Sequence, residues 1–294
     1  MFTTTFTNSS FAKLKKFDPG KDIPNTECEL YIKGTKDKGK ILIKKFFVRE
    51  GDYLGKKLKN LNTLMYYKSS LESVKELILP NSLVIVGGEI VGYSMEFIDK
   101  NINLLNYLRS FNNSLEDKVK YLKCIGSILE EINNIKGFPY DFSLGDLHEG
   151  NFIIDKNGLL KVVDIDSSYI SNNEPFPAKY LSINPLLKDL SYKYTTNDKG
   201  DIIPNRNTDI YCYIIIILNT LANQDMYKLN INDFFRYINY LEDIGINKDF
   251  LFSIERIYQS GDNKSPLEYL NSLDIKKAYQ ANKLVYKQRT GFIL

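Results

Sequence analysis

Two carboxylates and one side-chain amide are grouped in a short stretch near the middle of the chain. Asp146 and Asn151 belong to the segment Leu144-Gly-Asp-Leu-His-Glu-Gly-Asn151, and Asp164 belongs to Val162-Val-Asp-Ile-Asp-Ser167. Asn151 therefore follows Asp146 by five residues, and Asp164 follows it by eighteen. Oxygen ligands of this kind suit Mg²⁺, which takes one or two carboxylates together with phosphate oxygens. The residue types predict a site that holds a magnesium ion beside a phosphate group.

A short β-hairpin is predicted to bring these three side chains together. The runs Asn151–Ile154 and Leu160–Val163 read as strands, and Asp155-Lys-Asn-Gly158 reads as the turn between them. Asp146 lies in the loop before the first strand, and Asp164 lies in the loop after the second. Because the two strands are antiparallel, both loops are expected at the same end of the hairpin.

These segments resemble the protein-kinase-like superfamily. The catalytic loop of that family reads His-Arg-Asp-Leu-x-x-x-Asn and its metal loop reads Asp-Phe-Gly. Here the matching segments are Leu144–Asn151 and Asp164-Ile-Asp166, at the spacing that the family shows. The sequence Gly-Asp-Leu-His-x-Gly-Asn is similar to the variant of aminoglycoside-phosphotransferase-like and atypical kinases.

Three further segments match the family in the expected order. Ile41-Leu-Ile-Lys44 is similar to its Val-Ala-Ile-Lys strand, Tyr93-Ser-Met-Glu-Phe-Ile98 is similar to the hinge between its lobes, and Thr208-Asp-Ile-Tyr-Cys212 is similar to the start of its central helix. The resemblance spans the chain from about residue 10 to about residue 225.

The resemblance implies the main roles of an ATP- and Mg²⁺-dependent phosphotransferase. Asp146 would orient the attacking hydroxyl and accept its proton, while Asn151 and Asp164 would hold Mg²⁺ on the phosphates. Lys44 would pair with the α- and β-phosphates of ATP.

The same resemblance extends to five other residues. His148 stands where protein kinases place a lysine near the transferred phosphoryl group, and we expect a catalytic role for it. Glu96 and Ile98, in the hinge segment, would bind the nucleotide. Asp166 replaces the glycine of Asp-Phe-Gly and is expected to add a metal ligand. Asp209 would accept backbone N–H bonds from the catalytic loop.

Several of these assignments have simpler alternatives. A lone histidine such as His148 is usually structural, although this one lies inside the motif. Lys44 could be a solvated lysine, and its neighbour Lys45 points to the opposite face of the same predicted strand. Asp209 could simply cap its own helix. The sequence leaves these alternatives open.

The elements around the site predict an α+β fold. Residues 1–98 read as a small antiparallel β-rich N-lobe with one main helix, which Asp52 can cap and whose apolar face carries Leu54, Leu58, Leu61 and Met65. The expected strands are Phe11–Phe17, Cys28–Lys33, Lys40–Val48 and a hairpin of Leu83–Val86 with Ile90–Ile98.

Residues 99–294 read as a larger, mainly helical C-lobe. One helix is predicted from a Ser114 cap to about Lys136, and a second, buried helix is predicted over Asp209–Leu221. A long irregular stretch, Ser171–Asn207, precedes the buried helix. With the resemblance, this outline is a bilobal protein-kinase-like fold whose lobes join near Ile98–Asn101.

Several features depart from the family pattern. The loop Asp18–Glu27 has Gly20 as its only glycine, so the family's Gly-x-Gly-x-x-Gly is absent. The helix after Lys44 has no acid between Tyr53 and Tyr67 to pair with that lysine. Gly145 replaces the arginine before the catalytic aspartate, so we expect no phosphate-reading switch there. Finally, no Ala-Pro-Glu segment occurs in Ser171–Asn207.

Composition excludes several other classes of function. The 294 residues include 39 Lys and Arg against 36 Asp and Glu, a formal charge of +3 that gives no reason to expect nucleic-acid or membrane-surface binding. One histidine cannot build a site of several imidazoles. Three scattered cysteines favour reduced thiols in a cytoplasm over a disulfide framework. The longest apolar run, Tyr211–Leu218, is shorter than a bilayer span needs.

The sequence thus predicts transfer of the γ-phosphoryl group of ATP to a hydroxyl, with protein Ser or Thr as the first acceptor to consider. Two alternatives stay open. One is a kinase of small molecules such as aminoglycosides or sugars, and the other is a pseudokinase that binds a nucleotide without turnover. The oligomeric state is not predicted.

Overall fold

The structure is a computed structural model, and it describes residues 2–18, 27–35, 39–48, 51–173, 203–222 and 264–280, together with residues 232, 236, 239 and 242. Most of the predicted irregular stretch Ser171–Asn207 and most of the loop containing Gly20 lie outside these residues.

The first part of the chain forms one six-stranded sheet. Its strands stand in the spatial order β1-β5-β6-β4-β3-β2, and all neighbours are antiparallel except β1 and β5, which are parallel. Their bounds are β1 Thr3–Phe6, β2 Lys15–Phe17, β3 Cys28–Thr35, β4 Gly39–Phe46, β5 Pro80–Val86 and β6 Glu89–Glu96. The sheet therefore contains every strand that the sequence predicts here, and one more.

One long helix packs on this sheet. Helix α2 spans Gly51–Tyr66, and its apolar face buries Leu61 and Met65 in a cluster with Phe46 and Tyr93 of the sheet. Leu54 and Leu58 are partly buried against the same cluster, so the predicted apolar face is confirmed. Two single-turn helices, α1 (Asn8–Phe11) and α3 (Lys68–Leu71), lie on either side of it in the sequence.

The rest of the described chain is mainly helical, with short strands. Its helices are α4 Leu104–Arg109, α5 Leu115–Asn133, α6 Arg206–Ala222 and α7 Pro266–Ser272, and its strands are β7 Ile102–Asn103, β8 Phe142–Ser143, β9 Phe152–Ile154, β10 Leu160–Val162 and β11 Tyr169–Ile170. Strands β9 and β10 form the predicted hairpin. The Ser114 hydroxyl accepts a hydrogen bond from the Asp117 N–H, as expected for the helix cap.

Helix α6 lies at the centre of the larger core. Residues 210–218 are at most 1% exposed on every side of the helix, and a helix that is apolar all round is one that other elements surround. Helices α5 and α7 and strand β8 all contact it. A helix so enclosed gives a rigid support for the loops that lie against it.

Two local predictions need correction. The expected strand Phe11–Phe17 begins only at Lys15, because Thr7 and Ser10 form a reciprocal capping box that starts the α1 turn instead. Strand β1 was not predicted, because its parallel partner β5 lies about 80 residues away and pairing over such a distance leaves no local signal. The α+β class itself is confirmed. Among the described helices, none is both long enough and apolar enough to cross a bilayer.

Candidate active site

A cavity of about 440 Å³ lies between the six-stranded sheet and the β9–β10 hairpin. Its walls are largely apolar, with Leu30 and Leu42 contributed by the sheet and Ile153 and Val163 by the hairpin. The polar side chains that line it include Lys44, Asn151 and Asp164. With Glu96 and Ile98 at its edge, the structure therefore brings five of the predicted site residues to one cavity.

Lys44 lies on β4 and points into the site. Its side chain is 8% exposed, its Nζ contacts the Asp164 carboxylate, and it lies 3.1 Å from Oδ1 of Asp166. Burial alone would lower the pKa of Lys44, but the two carboxylates raise it well above its ordinary value. Lys45 points to the other face, where its Nζ lies 3.2 Å from Oε2 of Glu29. The alternative that Lys44 is a solvated lysine is therefore wrong.

Asp164 lies just after strand β10, at the open end of the hairpin, and has an uncommon backbone conformation. Its φ is +67°, in the left-handed region that non-glycine residues rarely adopt. Its side chain is 45% exposed although it pairs with Lys44. Such strained positions are concentrated at functional sites, and this one turns a carboxylate toward the cavity.

The loop that carries Asp146 turns sharply at Gly145, whose φ of +72° favours glycine. The Asn151 amide Nδ2 donates to the Asp146 carbonyl at 2.8 Å, and the two ends of the loop are thereby tied together. Since the amide nitrogen is engaged, Oδ1 is the atom through which Asn151 can bind a cation. The Asp146 side chain is 32% exposed and thus accessible to a substrate.

Asp209 holds this loop from helix α6. Its Oδ2 accepts the Leu144 N–H at 2.7 Å and its Oδ1 accepts the Gly145 N–H at 3.0 Å. Burial raises the pKa of Asp209 to about 7, although the two backbone donors act in the opposite direction. The cap of α6 is Asn205, whose Oδ1 accepts from the N–H groups of Asn207 and Thr208. The predicted contact of Asp209 is confirmed, and the alternative of a simple helix cap is wrong.

Asp209→Asn is expected to lower the free energy of unfolding by about 1–3 kcal/mol, because the amide NH₂ would face one of the two buried backbone donors. The same change should weaken the positioning of Asp146. Chemical denaturation measures the first effect, with Glu116→Gln, an exposed carboxylate on α5, as the control. Equal stability of the two variants would show that Asp209 does not hold the loop.

His148 lies beside Asp146 as a neutral imidazole. Its Nδ1 accepts the Gly150 N–H at 3.1 Å, so the proton is assigned to Nε2, which lies 3.9 Å from Oδ2 of Asp146. Burial lowers the pKa of His148 to about 4. A Cβ on Gly150 would lie 2.8 Å from Cε1 of the ring, so the glycine makes room for it. His148 thus supplies an N–H donor next to Asp146 and not the fixed positive charge of a lysine.

His148→Gln is expected to weaken the acid sensitivity of folding. The unfolded imidazole takes up a proton near its ordinary pKa of 6.5, whereas the folded one does so only near 4, so the wild-type protein loses stability as the pH falls through that window. The variant should lose less stability between pH 7 and pH 5, by about 2 kcal/mol. Denaturant titrations at the two pH values measure this difference, and equal losses would contradict the assignment.

Asp166 is the site residue whose surroundings differ most from expectation. It is 1% exposed, and its carboxylate accepts from Lys44, from Lys57 at 2.7 Å and from the Tyr93 hydroxyl at 2.7 Å. Asp166 is not among the residues that line the cavity. Because three donors engage its two oxygens, we assign it to a buried ion cluster and not to the metal ligands.

Glu96 and Ile98 line the far edge of the cavity, where the sheet meets the helical part. The intervening Phe97 N–H donates to the Lys40 carbonyl of β4 at 3.2 Å. Since the backbone groups of an antiparallel strand alternate in direction, those of Glu96, which lies opposite Ile41, face away from β4. The Asn101 amide donates to the Ile98 carbonyl at 2.5 Å and fixes this turn.

Lys57 and Tyr93 were missed as site residues by the sequence reasoning. Lys57 stands three residues after Leu54 and four before Leu61, so it interrupts the apolar face of α2. A lysine at such a position signals a buried cation that needs an acidic partner. That partner, Asp166, is 109 residues away, and the local pattern does not identify it.

Comparison with models of known protein families finds no match, and comparison with curated proteins finds no significant match. In the described part of the chain, no group of three or more His, Cys, Asp or Glu side chains is placed to hold a metal ion. A magnesium ion that also binds phosphate oxygens needs fewer protein ligands than that.

Proposed function

We propose that this chain is an ATP- and Mg²⁺-dependent phosphotransferase with a bilobal protein-kinase-like fold, its N-lobe formed by residues 1–98 and its C-lobe by residues 99–294. The observation that carries the proposal is the convergence of Lys44, Asn151 and Asp164 on one cavity, next to a loop that presents Asp146. These residues come from separate parts of the sequence and meet with the types that phosphoryl transfer requires.

The cavity suits an adenine nucleotide. The apolar walls, which include Leu42 and Val163, form a slot for a flat base. At its edge, the backbone carbonyl of Glu96 and the N–H of Ile98 can bind the polar edge of the base. Lys44 lies at the opposite end beside Asp164, where the phosphates of a nucleotide bound in this direction are placed.

The residues at that end fit a magnesium ion. Asn151 offers its amide oxygen and Asp164 a partly exposed carboxylate, both hard oxygen ligands that line the cavity. When bound, Mg²⁺ neutralises charge on the phosphate oxygens.

Asp146 is the proposed base for the transfer step. The acceptor hydroxyl oxygen forms a bond to the γ-phosphorus, the bond from that phosphorus to the bridging oxygen breaks, and ADP leaves. The hydroxyl proton goes to the Asp146 carboxylate. Asp209 fixes the loop by two hydrogen bonds, and this pre-organisation is the main contribution that a protein makes to the reaction.

We propose a protein Ser or Thr hydroxyl as the acceptor. The experiment is transfer of label from γ-labelled ATP, with Mg²⁺, to degenerate Ser/Thr peptides and, in parallel, to aminoglycosides and sugars. Label on peptides supports the proposal, and label on small molecules only assigns the acceptor to that class. Binding of MgATP without any transfer would favour a nucleotide-binding scaffold and overturn the proposed activity.

A further inference from the structure

The helix that packs on the sheet directs a lysine into the ion cluster of the site. Lys57 of α2 is 1% exposed, and its Nζ lies 2.7 Å from Oδ2 of Asp166 and 3.3 Å from Oε2 of Glu27. Burial would lower the pKa of Lys57, but the Asp166 carboxylate raises it above its ordinary value. The helix thus supplies a positive charge where the family pattern leads one to look for an acid.

Asp166 is the shared partner of the two lysines. Its Oδ1 accepts from Lys44 at 3.1 Å and from the Tyr93 hydroxyl at 2.7 Å, while its Oδ2 accepts from Lys57. Burial would raise the pKa of Asp166, but Lys44 and Lys57 hold it well below its usual range. Each oxygen of the buried Asp166 carboxylate thus faces a lysine ammonium group, which is the pairing that a buried charge requires.

This sharing determines what happens when a phosphate reaches Lys44. If Lys44 were the only cation on Asp166, turning toward a phosphate would leave a buried carboxylate uncompensated, at a high cost. With Lys57 and Tyr93 in place, Asp166 keeps a charged partner and a neutral donor. Lys44 is then able to exchange its carboxylate contacts for phosphate oxygens.

The position of Lys57 is fixed by further contacts of the same helix. Asn60, one turn later on α2, donates from Nδ2 to the Ser168 carbonyl at 2.7 Å and is 1% exposed. Lys59 donates to the Asn172 carbonyl at 2.6 Å. The middle turn of helix α2 is therefore attached to the segment that follows Asp164.

We propose that Lys57 is a positioning residue: by neutralising Asp166 from α2, it releases Lys44 to bind the phosphates of ATP. This inference rests on the proposed function. The acid that helix α2 lacks is replaced by two residues, Lys57 on the helix and Asp166 after Asp164.

The test compares MgATP with adenosine as ligands in calorimetric titrations. Lys57→Met should reduce the affinity for MgATP by at least about tenfold, because Lys44 must then stay on Asp166, and it should leave the affinity for adenosine unchanged. Lys123→Met, which removes an exposed lysine from helix α5, is the control and should bind both ligands as wild type does. Adding Asp166→Asn to Lys57→Met should restore most of the MgATP affinity.

Each outcome of this test has a defined meaning. Unchanged MgATP affinity in Lys57→Met, or equal losses for MgATP and adenosine, would overturn the positioning role. If Lys57→Met alone does not fold, the variant that combines Lys57→Met with Asp166→Asn is measured in its place. Poor MgATP binding by this folded double variant would also overturn the positioning role of Lys57. Failure of wild-type protein to bind MgATP would instead reject the proposed function itself.

Discussion

Asp146→Asn should reduce phosphoryl transfer by about 10²–10⁴-fold, the usual contribution of a positioned general base. The amide keeps the size of the side chain but cannot accept the hydroxyl proton. The Asn151 amide bonds to the backbone carbonyl of residue 146, and Asp209 bonds to the backbone of Leu144 and Gly145, so the substitution leaves the loop anchored. MgATP affinity and thermal stability should therefore stay close to the wild-type values.

The measurement is the initial rate of label transfer at saturating MgATP, with binding determined on the same preparation. Asp141→Asn is the matched control, because Asp141 is an exposed aspartate five residues before Asp146 that does not line the proposed nucleotide cavity. We expect the control to retain its rate. A rate in Asp146→Asn equal to that of the control would show that another group accepts the proton.

Lys44→Met should reduce the transfer rate by about 10²–10³-fold, which is the usual cost of removing one donor to charge that develops in a transition state. The variant loses a buried ammonium group that lines the cavity and contacts Asp164. Among the described residues, no other lysine does both. Because Asp166 keeps Lys57 and Tyr93 as donors, the variant should still fold.

Lys45→Met provides the control for this prediction, since it removes the same type of side chain from the neighbouring position. Its Nζ contacts Glu29 on the opposite face of the sheet, and it should leave the transfer rate unchanged. Steady-state rates over a range of MgATP concentrations compare the two variants. Equal losses would mean that the faces of β4 are assigned incorrectly.

The sequence identified the parts of the site that depend on local geometry. The hairpin turn at Asp155-Lys-Asn-Gly158 places the loops around Asp146 and Asp164 together, and strand alternation separates Lys44 from Lys45. Both rules act over a few residues, so they can be applied without knowledge of the tertiary structure. The contact from Asp209 followed from the family resemblance, not from local geometry.

The ion cluster around Asp166 could not be derived in this way. Its role depends on Lys57 and Tyr93, which are 109 and 73 residues away, and a motif comparison treats Asp166 only as a replacement for glycine. A carboxylate two residues after Asp164 suggests an additional metal ligand until the groups that donate to it are known. Burial and the pairing of charges decided the assignment, and both are tertiary properties.

A titration of folding stability with MgATP tests whether Lys44, Asn151 and Asp164 form a site for this ligand. We expect the wild-type protein to be stabilised by about 2.7 kcal/mol when MgATP is at about 100 times its Kd. In the Asp164→Asn variant, most of the Mg²⁺-dependent part of this stabilisation should be lost. No stabilisation of the wild-type protein at millimolar MgATP would contradict the account.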